Sequence, residues 1–182
     1  MTTRIFLHVA IGAGAIMAQA VPPKPNPVPP ELLSGSTLRL PSAGGFSLID
    51  APGPDWEWTF LGDTYFCGQR DARGGGYTRV LQLVRVARVP SWIEAQRELQ
   101  ASISSRERAI GVRAAIVSWT VGTFPVAGTV HYTLSYHIGE FDRLYDGYYT
   151  PQLIHLRGSA YPGVESELFR KFVESYRIEV AP

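Results

Sequence analysis

The sequence predicts an α+β domain, with a mainly antiparallel sheet and helices packed against it. Three observations carry that reading. From Thr37 onward, short segments alternate apolar and polar residues with the period of two expected of half-buried strands. Two segments show helical spacing instead, one opening at Ser91 and one near the end of the chain. Strands and helices do not alternate as βαβ units, which argues against a parallel sheet.

The elements follow in order. Gly45-Phe46-Ser47-Leu48-Ile49-Asp50 reads as a strand, stopped by the turn cluster Ala51-Pro52-Gly53-Pro54. Trp56, Trp58 and Phe60 then share one side of a strand, with Glu57 and Thr59 on the other. Thr64 to Cys67 continues the β character, and Gly74-Gly75-Gly76 lies in the connection that follows. Thr78 to Val89 is apolar in both parities, as a central strand covered on both faces requires.

Pro90 closes that strand. Ser91 and Glu94 form an S-x-x-E capping box, in which the serine oxygen accepts from the N3 amide and the glutamate reaches back. Trp92, Ile93, Leu99 and Ile103 fall on one approximate face of the resulting helix, which frays between Ser105 and Ala109. Strands over Val112–Val121, Gly128–Ile138 and Tyr145–Arg157 follow, the second alternating strictly. Tyr161-Pro162-Gly163 opens a last helix with Val164, Leu168, Phe172, Val173 and Tyr176 as its buried stripe, and Ile178 to Val180 finish the domain.

The first twenty residues report an address. Arg4, the apolar run Ile5 to Met17 and the small-residue motif Ala18-Gln19-Ala20 have the order of a secretory signal peptide cleaved after Ala20. The run is too short to cross about 30 Å of hydrocarbon as a helix, so no stable membrane insertion is expected once the leader is removed. Six prolines between Val21 and Pro30 impose extended geometry, and 21–36 reads as a disordered spacer before one domain over 37–182. The expected location is outside the cytoplasm, periplasmic or secreted. Val21 at the +1 position is not the cysteine a lipid anchor needs.

The whole chain has 17 basic and 16 acidic residues, and Arg4 is the one charged residue of the leader. The mature chain is therefore formally neutral and lacks the electrostatic footprint of a nucleic-acid binder. Cys67 is a lone cysteine, so no intramolecular disulfide forms, and the sequence reads it as a buried, inert thiol.

Chemistry-bearing residues gather in three places. His131, His137 and His155 are the histidines beyond the leader. His131 and His137 share a strand face but lie roughly 20 Å apart at about 3.3 Å per residue, too far for one metal. His131 faces His155 only if the hairpin register allows, and further ligands for a metal are not evident, so no metal or other cofactor is expected. Arg70, Arg73 and Arg79 surround the glycine triplet. Backbone and guanidinium together cradle an anion in principle, but the loop runs into a strand and has no G-K-[ST], so a solvated hairpin is the reading. At the next hairpin Glu140, Asp142 and Asp146 interleave with Phe141, Tyr145, Tyr148 and Tyr149. Tyrosine favours interfaces, which makes Asp142, Asp146, Tyr148 and Tyr149, with Arg70 and Arg73, the candidate interaction residues. No catalytic residue is assigned, because no ordered nucleophile, base and orienter set is present.

Three stretches together resemble the PsbP-like family. They are Gly45-Phe46-Ser47-Leu48 leading to Pro54-Asp55-Trp56, the strand running into Ser91, and Leu156-Arg157-Gly158-Ser159-Ala160-Tyr161 followed by Phe169 to Ile178. The resemblance implies an α-β-α sandwich over roughly Leu38 to Val180, and a role in binding other proteins. It supplies no catalytic or metal motif. The expected function is thus an exported, non-catalytic accessory domain with an envelope protein as partner. The alternative is a small-ligand-binding protein or hydrolase-type enzyme using a polar sheet face or hairpin pocket.

Overall fold

The computed structural model describes residues 25–72, 77–98, 112–138, 141–158 and 166–180. The leader with Ala20, the glycine triplet with Arg73, Leu99, Ile103 and the fraying segment, and the 161–164 opening of the last helix lie outside the described residues.

The described residues form twelve strands in two antiparallel sheets. They are β1 (Asn26–Pro27), β2 (Leu33–Ser34), β3 (Thr37–Ser42), β4 (Gly45–Asp50), β5 (Trp56–Leu61), β6 (Thr64–Arg70), β7 (Tyr77–Arg85), β8 (Val112–Gly122), β9 (Thr129–Ile138), β10 (Phe141–Tyr149), β11 (Ile154–Gly158) and β12 (Arg177–Val180). A helix α1 occupies 92–98, and α2 spans Ser166–Glu174. The large sheet has the order β1-β5-β6-β7-β11-β10-β9-β8, and the small one β12-β4-β3-β2.

This corrects the expected fold class. The protein is β-rich, two sheets with short helices, and not an α+β sandwich whose helices cover a single sheet. The reason lies in residues 33–50 and 177–180. They pair with one another into a second sheet, and that sheet takes the face which helices were expected to bury. Leu38, Leu40 and Ile49 of the small sheet share one core with Trp58, Cys67, Leu81, Leu83, Ile154 and Leu156 of the large one. Each such aliphatic side chain contributes about 1.5–3 kcal/mol when fully buried. Helix α2 adds Phe169, Phe172 and Val173 to that core. Leu168 is half-buried, and Tyr176 is buried just beyond the helix. The Tyr176 hydroxyl lies 2.9 Å from Ser47 Oγ and 3.2 Å from Thr150 Oγ1, tying the two sheets together.

A second, smaller core lies on the opposite face of the large sheet, where Ala95 of α1 packs with Ile116, Val130, Tyr132, Leu134 and Tyr149. The capping box at α1 forms as its sequence dictates. The Glu94 amide donates to Ser91 Oγ at 3.4 Å, and the Ser91 amide donates to Glu94 Oε2 at 2.8 Å.

Two segment assignments change. The proline-rich spacer gives way to folded chain early: β1 pairs with Thr59 and Phe60, β2 pairs with β3, and Val28 is buried in the main core. Proline is compatible with an edge strand, where no ladder donor is needed, and β1 is such an edge. The strand expected over Tyr145–Arg157 is two strands. The Leu153 amide bonds the Thr150 carbonyl and the Thr150 amide bonds the Ile154 carbonyl, closing a turn at Pro151 with Leu153 at φ 62°.

Candidate functional site

The β9–β10 hairpin places the predicted residues, and its register decides which of them meet. His131 stands opposite Tyr148, and Tyr149 stands opposite His155. Successive residues of a strand point to opposite faces. His131 and His155 therefore lie on different faces of the sheet, and the two-histidine patch does not form. Tyr148 and Tyr149 separate in the same way, so the tyrosines are not one exposed patch. Asp142 pairs with His137 in the ladder, but its side chain lies outside the described residues.

One face carries a partly exposed polar cluster. His131 donates from Nε2 to Asp146 Oδ1 at 2.9 Å, and Thr133 Oγ1 donates to the same oxygen at 3.0 Å. Tyr148 stacks on the His131 ring with centroids 4.7 Å apart, and reaches Phe124 and Phe169 on its other sides. A nucleophile–base pair needs a hydroxyl or thiol held by the histidine. Here the neighbouring Thr133 hydroxyl is spent on the carboxylate, so the geometry orients a side chain and does not activate one.

The other face is buried. The Tyr132 hydroxyl and His155 Nε2 are 2.8 Å apart, and Tyr149 stacks on His155 at 4.0 Å. Burial holds His155 well below the ordinary histidine range, with Arg157 adding to the effect. Burial also pushes the Tyr132 phenol up, and brings Tyr149 to about 12. The group is neutral at physiological pH and belongs to the second core.

The arginine-rich connection resolves differently. Arg70 donates to Glu57 Oε2 through both Nε and a terminal nitrogen, and the Tyr77 hydroxyl donates to Glu57 Oε1 at 2.6 Å. Arg70 thus serves an ion pair with its own sheet, which lowers the Glu57 carboxyl. Arg79 reaches Gln69 Oε1 at 3.5 Å. Cys67 is fully buried in the main core, and desolvation raises its thiol far above the range in which thiolate forms.

Sequence reasoning missed the open side of β8. This strand of eleven residues ends the large sheet and bonds only β9 among the described residues. A bulge between Ile116 and Ser118 turns Val117 outward, 58% exposed, and Val121 is 71% exposed. From Ala114 to Gly122 the strand has no charged residue. The bulge shifts the alternation by one residue, and that broken phase at Val117-Ser118 was the available signal.

Among the described residues no group of three or more His, Cys, Asp or Glu side chains comes together to hold a metal, and no helix is long and apolar enough to cross a membrane. No family model, curated protein or solved structure matches the chain. These comparisons neither support nor contradict the PsbP-like resemblance, whose implied α-β-α sandwich the two-sheet fold replaces.

Proposed function

We propose that the chain is an exported, non-catalytic accessory domain that binds an envelope protein by offering β8 to an extended segment of that partner. The open edge of β8 carries the proposal. Apart from the Ile116 amide, which donates to Gln96 Oε1 at 2.6 Å, its outward N–H and C=O groups are a template for an added strand, and edges of this length are ordinarily blunted by charge or proline. Within Ala114–Gly122 β8 has neither. Val117 and Val121 supply apolar contact beside the ladder. The leader-like start of the sequence supports export.

The experiment is capture of envelope proteins by wild-type chain and by a Val117→Lys/Val121→Lys variant. Both positions are exposed, so the variant keeps the wild-type circular dichroism spectrum. A partner retained saturably by the wild type and lost from the variant is the expected result. Equal retention by both proteins would remove β8 as the binding edge.

A further inference from the structure

A cleft of about 300 Å³ opens where the two sheets meet, between the β3–β4 turn, the end of β7 and the β10–β11 turn. Its polar side chains, Ser42, Arg85 and Gln152, can each donate a hydrogen bond. Arg85 is exposed and makes no side-chain hydrogen bond or ion pair among the described residues. Gln152 accepts the Tyr176 hydroxyl on Oε1 at 3.3 Å, which leaves its NH₂ group to donate. Ser42 also lines the cleft, and its Oγ is shielded from solvent yet has no hydrogen-bond partner among the described residues. Buried hydroxyls are nearly always satisfied, so an unpaired one beside a cleft points to a group that completes it.

The rest of the lining is aliphatic: Pro41, Ala43, Val86 and Leu153, with no acidic side chain. Donors gathered around a guanidinium select an oxyanion, and the aliphatic wall selects a hydrocarbon beside it. We propose that this cleft binds a short aliphatic monocarboxylate, with its carboxylate on Arg85 and its tail against Val86 and Leu153. This goes beyond the reading of β8 and uses a different part of the molecule.

The test is an NMR titration of the intact chain with hexanoate, hexan-1-ol and inorganic phosphate. Saturable shifts at Ser42, Arg85 and Leu153 with hexanoate are expected, weakened at least tenfold by Arg85→Gln and unchanged by Arg88→Gln. Arg88 is paired with Glu94 outside the cleft and serves as the control. The circular dichroism spectrum of Arg85→Gln verifies its fold, and Leu153→Ala, which shortens the wall without touching the charge, is expected to weaken hexanoate as well. Hexan-1-ol binding as well as hexanoate would overturn the carboxylate assignment. Phosphate binding as tightly would overturn the role of the tail, and the absence of saturation would overturn the site.

Discussion

Gly147 makes room for Tyr132. The two residues pair across β9 and β10, and a Cβ built at Gly147 would fall 2.2 Å from Tyr132 Cζ and 2.3 Å from its hydroxyl oxygen. Gly147→Ala therefore displaces the ring and with it the contact to His155. The expected loss is about 2–4 kcal/mol, combining overpacking with a buried polar group left unpaired. Gly122→Ala is the matched control, because nothing lies within 4 Å of a Cβ there. Urea unfolding of the two variants checks the difference.

His155 sets a pH dependence of stability. Its folded pKa is depressed below the ordinary 6.5, so the unfolded chain takes up a proton that the folded chain does not. Its contribution is complete above about pH 6.5 and is lost as pH falls below that value, at up to about 1.4 kcal/mol per pH unit. Unfolding free energies of wild type and His155→Gln between pH 5 and 7.5 test this. A flatter profile is expected in the variant, and parallel profiles would contradict the assignment.

Val28 anchors the proline-rich segment to the main core. Val28→Ala removes two buried methyl groups and is expected to cost about 2 kcal/mol, measured by denaturant titration. A disordered spacer would give no change at all.

Trp58 joins the two sheets by a second route, since its indole donates to the Ser36 carbonyl at 3.0 Å while its ring packs on Phe172 with centroids 6.0 Å apart. Trp58→Phe keeps an aromatic ring and loses the hydrogen bond. About 0.5–1.5 kcal/mol is expected for the lost hydrogen bond, because the exposed Ser36 carbonyl keeps the Ala51 amide at 3.1 Å as a second donor. Thermal unfolding of the variant measures it.

The local elements were legible in the sequence because local physics fixes them. Alternation marked Trp56–Phe60 and the β9 strand, and the Ser91/Glu94 pair marked the start of α1. The second sheet was not legible. It joins Leu38 and Ile49 to each other and Arg177 to Leu48 across more than a hundred residues, and no local period encodes such pairing. The candidate site was read only in part for a similar reason. Asp146 and Tyr148 were identified, but their neighbours depend on hairpin register, and a shift of one residue exchanges the faces. Prolines misled in the spacer, because the same residues that prevent a central strand are suited to an edge.

The two ends of the large sheet are unequal. At β1 the ladder finishes on Asn26–Pro27, flanked by further prolines that have no donor to offer. At β8 it finishes on a strand that pairs only with β9 among the described residues, with the Ile116 amide donating to Gln96 Oε1. A sheet able to grow in both directions propagates into a filament, whereas the prolines at β1 oppose growth at that end. In the β8 mode proposed above, association would favour one partner segment per chain over open-ended polymers.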